Sequence, residues 1–109
     1  MKIEVDSAAF ADAVAWATRI IPAHPSTPIL AGIKLEAADG ILSLSTFDYE
    51  KSARNQIEAG VDEAGTIVVL GKLLADIAKA LPEGKILLQT NNTRVTVSGR
   101  KSQFSLQLM

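Results

Sequence analysis

One order of elements, strand then helix then three strands, is written twice in this chain. Residues Ile3 to Asp6 alternate apolar and polar, as a half-buried strand does. Asp6-Ser7 then offers a helix N-cap. Phe10, Val14, Ala17 and Ile21 recur at helical spacing, with Ala13 and Ile20 widening the face. Pro22 stops that helix, and Pro25 and Pro28 stiffen the loop from Pro22 to Pro28. Ile29 to Ala37 and Ile41 to Phe47 read as strands joined by Asp39-Gly40, a two-residue hairpin turn. Asp48-Tyr49-Glu50 turns the chain into a third strand, Ser52 to Val61, with Ala53, Ile57, Ala59 and Val61 at even spacing.

The order then restarts. Thr66 to Leu70 is a strand, and Gly71 permits a sharp entry into a helix over Lys72 to Leu81. Leu73, Leu74, Ile77, Ala78 and Leu81 form the apolar face of that helix, which Pro82 and Gly84 end. Strands follow at Lys85 to Thr90, Arg94 to Ser98 and Gln103 to Met109, with Asn91-Asn92 and Gly99 at the turns. Shifted by 64 positions, Ile3 falls on Ile67, Val5 on Val69, Phe10 on Leu74, Ala13 on Ile77 and Ala17 on Leu81. The expected fold is therefore α+β, a duplicated β-α-β-β-β unit with two helices packed on one face of a mostly antiparallel sheet. Residues 1–109 form one domain made of two pseudo-repeats, about 1–61 and 62–109.

Composition narrows the function classes. The chain has no cysteine, which excludes disulfides, thiolate metal sites and a cysteine nucleophile. A single histidine excludes a multi-histidine metal site, and neither a metal nor a cofactor is expected. The net charge of -1 gives no overall field to draw in DNA or acidic lipid, so any such contact must come from a local grouping of the 11 Lys and Arg. No stretch nears the ~20 apolar residues of a membrane span. Met1 to Asp6 lack the apolar run of an export signal, which points to the cytoplasm.

Catalytic motifs fail. Gly71-Lys72 lies between a strand and a helix, but five residues separate Gly65 from Gly71, and Leu73 stands where a phosphate loop needs Ser or Thr. His24 sits in the proline-rich loop with no carboxylate marked to orient it, and Asp48 and Glu50 read as solvated turn residues. Nothing here makes an enzyme, and a binding or structural role is expected. On the helices, Arg19 lies nearly opposite Phe10, and Lys72 and Lys79 share a face. Asp76 is placed to pair with Lys72. By pattern alone these charges form a solvated helix surface. Trp16 falls about 120° from Phe10, at the border of the apolar face, where it is expected to pack.

Five segments in order carry a family resemblance. They are His24-Pro25-Ser26-Thr27-Pro28-Ile29-Leu30, Asp39-Gly40-Ile41-Leu42-Ser43-Leu44-Ser45, Phe47-Asp48-Tyr49-Glu50, Leu81-Pro82-Glu83-Gly84 and Phe104-Ser105-Leu106. Together with the repeated plan they resemble the bacterial sliding clamps, the β subunits of DNA polymerase III, in their N-terminal domain and over the whole chain. The resemblance implies the DNA clamp fold. Clamp chains carry three such domains, and two chains close into a ring, with helices lining the hole and sheets forming the outer wall. The ring encircles duplex DNA and tethers the polymerase without catalysis of its own. The family's chains run on past the position of Met109, so this sequence is expected to be the first of three domains.

The implied roles follow position by position. Arg19, Lys72 and Lys79 become candidates for the DNA-facing wall. Family members often carry an arginine that touches DNA just before the Pro-x-x-Pro segment. His24 stands there, and a neutral imidazole contributes less. At the ring joint, against the third domain of a second chain, Phe104 and Leu106 match the apolar part. Arg94 and Lys101 match basic positions, and Gln103 stands where arginine is usual, so one ion pair is expected to be missing. Phe104, Leu106 and Leu108 alternate, which suggests an apolar edge available for self-association. Expected partners are non-specific duplex DNA, the remaining clamp domains and second clamp chain, and the DNA polymerase and clamp loader. The competing reading is a stand-alone protein-interaction module with a clamp-like fold and no DNA role.

Overall fold

Each half of the chain lends its first strand to the sheet of the other half. The computed structural model describes residues 1–21, 31–47 and 52–109. In chain order the elements are β1 (Lys2–Asp6), α1 (Ser7–Ala17), a 3-10 turn (Thr18–Ile20), β2 (Gly32–Ala38), β3 (Ile41–Phe47), β4 (Ser52–Glu58), β5 (Gly60–Glu63), β6 (Gly65–Leu70), α2 (Gly71–Ala80), β7 (Lys85–Thr90), β8 (Arg94–Gly99) and β9 (Ser102–Gln107). The antiparallel layer is two sheets. One has the order β5-β1-β7-β8-β9 and the other β4-β3-β2-β6. Thus β1 pairs with β7 from the second half, and β6 with β2 from the first.

Local chemistry sets the boundaries. Asp6 ends β1 in extended geometry and caps α1, its carboxylate accepting from the Ala9 N–H at 3.0 Å. Asp39 and Gly40 both take positive φ, 54° and 76°, which makes the tight turn that matches the twist of β2 and β3. The α-helical run stops at Ala17, short of the Ile21 that periodicity predicts. There the Thr18 hydroxyl donates to the Val14 carbonyl at 2.8 Å, tying off the last turn. The buried Thr46 hydroxyl of β3 donates to the Ala17 carbonyl, and Asn55 Nδ2 of β4 to the Ala13 carbonyl at 3.2 Å. These bonds dock the end of α1 on its sheet.

The inward residues of both sheets and both helices make one core. Ile3, Val5, Ile33, Leu35, Leu42, Leu44, Val69, Ile86, Leu88, Val95, Val97 and Leu106 meet Phe10, Val14 and Leu74 there. Gly71 opens α2 against the end of α1. A Cβ at this position would run into Ile21 Cδ1 and stand 3.2 Å from Thr18 Cγ2. Ala11 of α1 and Ala78 of α2 face a common cleft at the opposite end, so the two helices run side by side and antiparallel.

Three expectations change. Ser52 to Val61 is two strands in different sheets, because the chain crosses between sheets at Ala59, whose N–H donates to the Gly40 carbonyl at 2.9 Å. Apolar alternation continues through that corner and so does not reveal it. Leu73 leaves the apolar face of α2 and is 47% exposed, since Leu74, Ile77 and Ala78, with Ala75 and Leu81 beside them, fill the contact. Trp16, expected to pack at the border of the apolar face, is only partly covered there and leaves 43% of its surface exposed. His24 and the Pro22–Pro28 loop, with Asp48, Tyr49 and Glu50, lie outside the described residues.

The bond from Thr46 to Ala17 is the buried polar link between α1 and its sheet. Thr46→Val keeps the shape and strands the Ala17 carbonyl, so unfolding free energy should fall by about 1–3 kcal/mol. The urea midpoint should drop with an unchanged slope. An unchanged midpoint would show that the carbonyl finds another donor.

Candidate nucleic-acid interface

The two helices lie next to each other and leave one continuous solvent side. On α1 and the 3-10 turn that side carries Ala8, Asp12, Ala15, Trp16 and Arg19; on α2 it carries Lys72, Leu73, Asp76, Lys79 and Ala80. The alanines keep the surface low, so the long cationic side chains stand above it. Lys79 lies in the last turn of α2, where a cation complements the helix dipole. Lys72 lies in the first turn, where a cation does nothing for the helix.

The expected pairing of Lys72 with Asp76 does not form. Among the described residues the one ion pair is Lys34 with Glu36, at 3.9 Å on the exposed face of β2. Arg19, Lys72 and Lys79 are therefore held by no carboxylate among the described residues. The close approach of Gly71 to Thr18 brings Lys72 to the same end of the layer as Arg19. Lys79 stands at the other end, beside Ser7, Ala8 and Ala11. This spacing suits contact with successive phosphates of a polyanion, which needs no fixed register. His24 lies outside the described residues.

The residues assigned to the ring joint separate into different environments. β9 is the outer strand of its sheet. Leu106 is only 1% exposed, opposite Val95 in the core, and offers no surface. Phe104 is half-buried opposite Val97 and packs against the same core. Leu108 packs there as well. The apolar face of the last strand is thus turned inward, and the outward residues of β9 are Gln103, Ser105 and Gln107. The exposed side of this edge is thus polar where an apolar one is expected, and β9 is still the outer strand of its sheet. Arg94 is exposed and tied across the hairpin, its Nε donating to Ser105 Oγ at 2.7 Å. It pairs with Gln107, whereas Lys101 sits in the turn before β9, at the opposite end of the hairpin.

One feature escaped sequence reasoning. Lys101 and Gln103 line a shallow cleft of about 370 Å³ on the sheet side, together with Glu4, Lys85, Leu87 and Arg100. The adjacent Arg100-Lys101 pair at a hairpin turn was the available signal. Cations thus gather both on the helix layer and at this cleft on the sheet. Among the described residues no group of three His, Asp or Glu side chains is placed to hold a metal ion.

Comparison with known proteins fits this architecture. The family model described as the DNA polymerase III beta subunit, N-terminal domain, matches residues 1–109. The chain is 50% identical over 109 residues to the beta sliding clamp of Streptomyces coelicolor, covering all of this chain and 29% of that protein. It is 41% identical over 109 residues to the beta sliding clamp of Micrococcus luteus, covering all of this chain and 35% of that one. A crystal structure of the C. crescentus beta sliding clamp superposes with a TM-score of 0.95 at 26% identity, over all of this chain and 30% of the other. The chain thus spans about a third of the length of the relatives it matches.

The burial of the last strand makes a clear ranking. Leu106→Ala should lose about 2–5 kcal/mol, as a core truncation does. Phe104→Ser should lose less, and Gln103→Ala should stay within ~0.5 kcal/mol. Thermal unfolding of the three variants checks the order. An equal, small loss for Leu106→Ala and Gln103→Ala would contradict the inward placement of Leu106.

Proposed function

Because the chain belongs to the DNA polymerase III beta subunit family and matches its N-terminal domain, we propose that it is the first domain of a sliding clamp, a processivity factor that keeps a DNA polymerase on duplex DNA in the bacterial cytoplasm. Residues 1–109 act as one clamp domain of two pseudo-repeats, about 1–61 and 62–109. The domain does no chemistry. Its helix layer forms part of the wall of the hole, and its sheets form part of the outer wall. The observation that carries this reading is the set of cations on one helical side, Arg19, Lys72 and Lys79, that have no carboxylate partner among the described residues.

A ring holds DNA by topology, so the inner contacts can stay weak. Phosphate contacts from lysine and arginine carry no sequence information and are exchanged one for the next, which permits sliding. A net charge of -1 is compatible with this, since the pull is local to the helices. His24 belongs to the same DNA-facing set. At the β8-β9 edge, Arg94, Lys101 and Gln103 meet the second chain, with half-buried Phe104 at the margin of that contact and Leu106 holding the strand in place from the core. The remaining clamp domains, the polymerase and the clamp loader are partners of the full-length protein.

Binding of a labelled duplex to the chain should be weak and indifferent to sequence. Its log affinity should fall with log salt by about 0.9 per phosphate contacted. Lys79→Ala should make that slope shallower by about one unit, and Lys85→Ala, on the sheet side, should leave it unchanged. A slope that responds to Lys85→Ala and ignores Lys79→Ala would reverse the assignment of inner and outer walls.

A further inference from the structure

Trp16 is the aromatic residue on the solvent side of the helix layer and, with the exposed Leu73, is not called for by phosphate contacts. It is 43% exposed, and its indole N–H donates to no group among the described residues. Its neighbours on that side are small or charged: Ala15 beside it, Asp12 one turn before and Arg19 three residues after. Arg19 and Lys72 stand at this same end of the layer. Trp16 therefore leaves 43% of its surface exposed, and the two cations on its flank have no carboxylate partner among the described residues.

We propose that Trp16, Arg19 and Lys72 form a contact site for single-stranded DNA, in which the indole stacks on an unpaired base and the two cations take the adjoining phosphates. The proposal rests on the reading that the helix layer faces DNA. A duplex hides its base faces in the stack, so Lys and Arg side chains are all that its backbone calls for. An exposed indole matches what a single strand offers in addition, a free π face of any base. Asp12 repels phosphate on the far flank, which runs the strand from Trp16 toward Arg19 and Lys72. Such a site would engage the unpaired strand beside a primer end, or a frayed end, within the same hole that holds the duplex.

Trp16 is the only tryptophan, so intrinsic fluorescence reads this one site. The chain is titrated at low salt with oligothymidylate, and with a blunt duplex of equal length closed at both ends. Oligothymidylate should quench the emission, and the closed duplex should bind with little quenching. Trp16→Ala should weaken oligothymidylate binding, followed by anisotropy of a labelled strand, by about tenfold. Trp16→Phe should fall between the two, and both variants should keep the far-ultraviolet spectrum of the parent. Arg19→Ala should make the single-strand salt slope shallower by about 0.7.

Equal quenching by both DNAs, or none by oligothymidylate, overturns the proposal. So does a shift of the emission with protein concentration alone, which would mean that a second copy covers the ring. If the closed duplex still binds through Lys79 while oligothymidylate has no effect, only the single-strand site falls. If neither DNA binds, the DNA-facing reading of the helices falls with it.

Discussion

Hydrogen bonding between β1 and β7, and between β6 and β2, is the constraint on which the other features depend. Ile3 and Val5 lie opposite Leu88 and Ile86, and Ile67 and Val69 lie opposite Leu35 and Ile33. Each sheet is completed by a strand from the other half, so each half alone would leave a row of apolar side chains and a ladder of backbone groups without partners. Both exchanged strands lead directly into a helix, at Asp6-Ser7 and at Leu70-Gly71. The exchange therefore also fixes where the helices start. It sets them antiparallel and side by side over one core that both sheets share.

That placement produces a functional surface at little cost. Helix faces buried through Phe10, Val14, Leu74 and Ile77 leave their opposite faces free of packing duties. Charges there can be chosen for a ligand. Arg19, Lys72 and Lys79 have no carboxylate partners among the described residues, and the alanines around them keep the surface low. The sheet side is a different environment, polar, with Lys85, Arg100 and Lys101 around a shallow cleft. In the proposed ring the first surface faces DNA and the edge of the second faces another protein.

Much of this architecture was legible in the sequence, because it rests on local signals. The Asp6 cap, the Asp39-Gly40 turn, the stripe of Phe10 and Val14 and the order of elements each follow from a few adjacent residues. What stayed hidden depends on tertiary contacts. The break at Ala59 was masked because alternation of Ala53, Ile57 and Val61 runs through the corner between sheets. Leu73 and Trp16 have the residue types of a core yet lie outside the contact that two small antiparallel helices make. Leu106 showed its alternation in sequence, but only the pairing of β9 with β8 decides that this face turns inward. The proposal that these cations face DNA needed the family resemblance, since a solvated helix face and a phosphate-binding one share the same spacing.

In the proposed ring the helix layer, not the basic cleft on the sheet, meets DNA. Amide chemical-shift mapping of the chain during titration with a short duplex at low salt tests it without choosing residues in advance. Shifts should concentrate in Asp12 to Arg19 and in Lys72 to Ala80, with Lys85, Arg100 and Lys101 still. Shifts centred on Lys85, Arg100 and Lys101, with the helices unmoved, would place DNA on the sheet side instead.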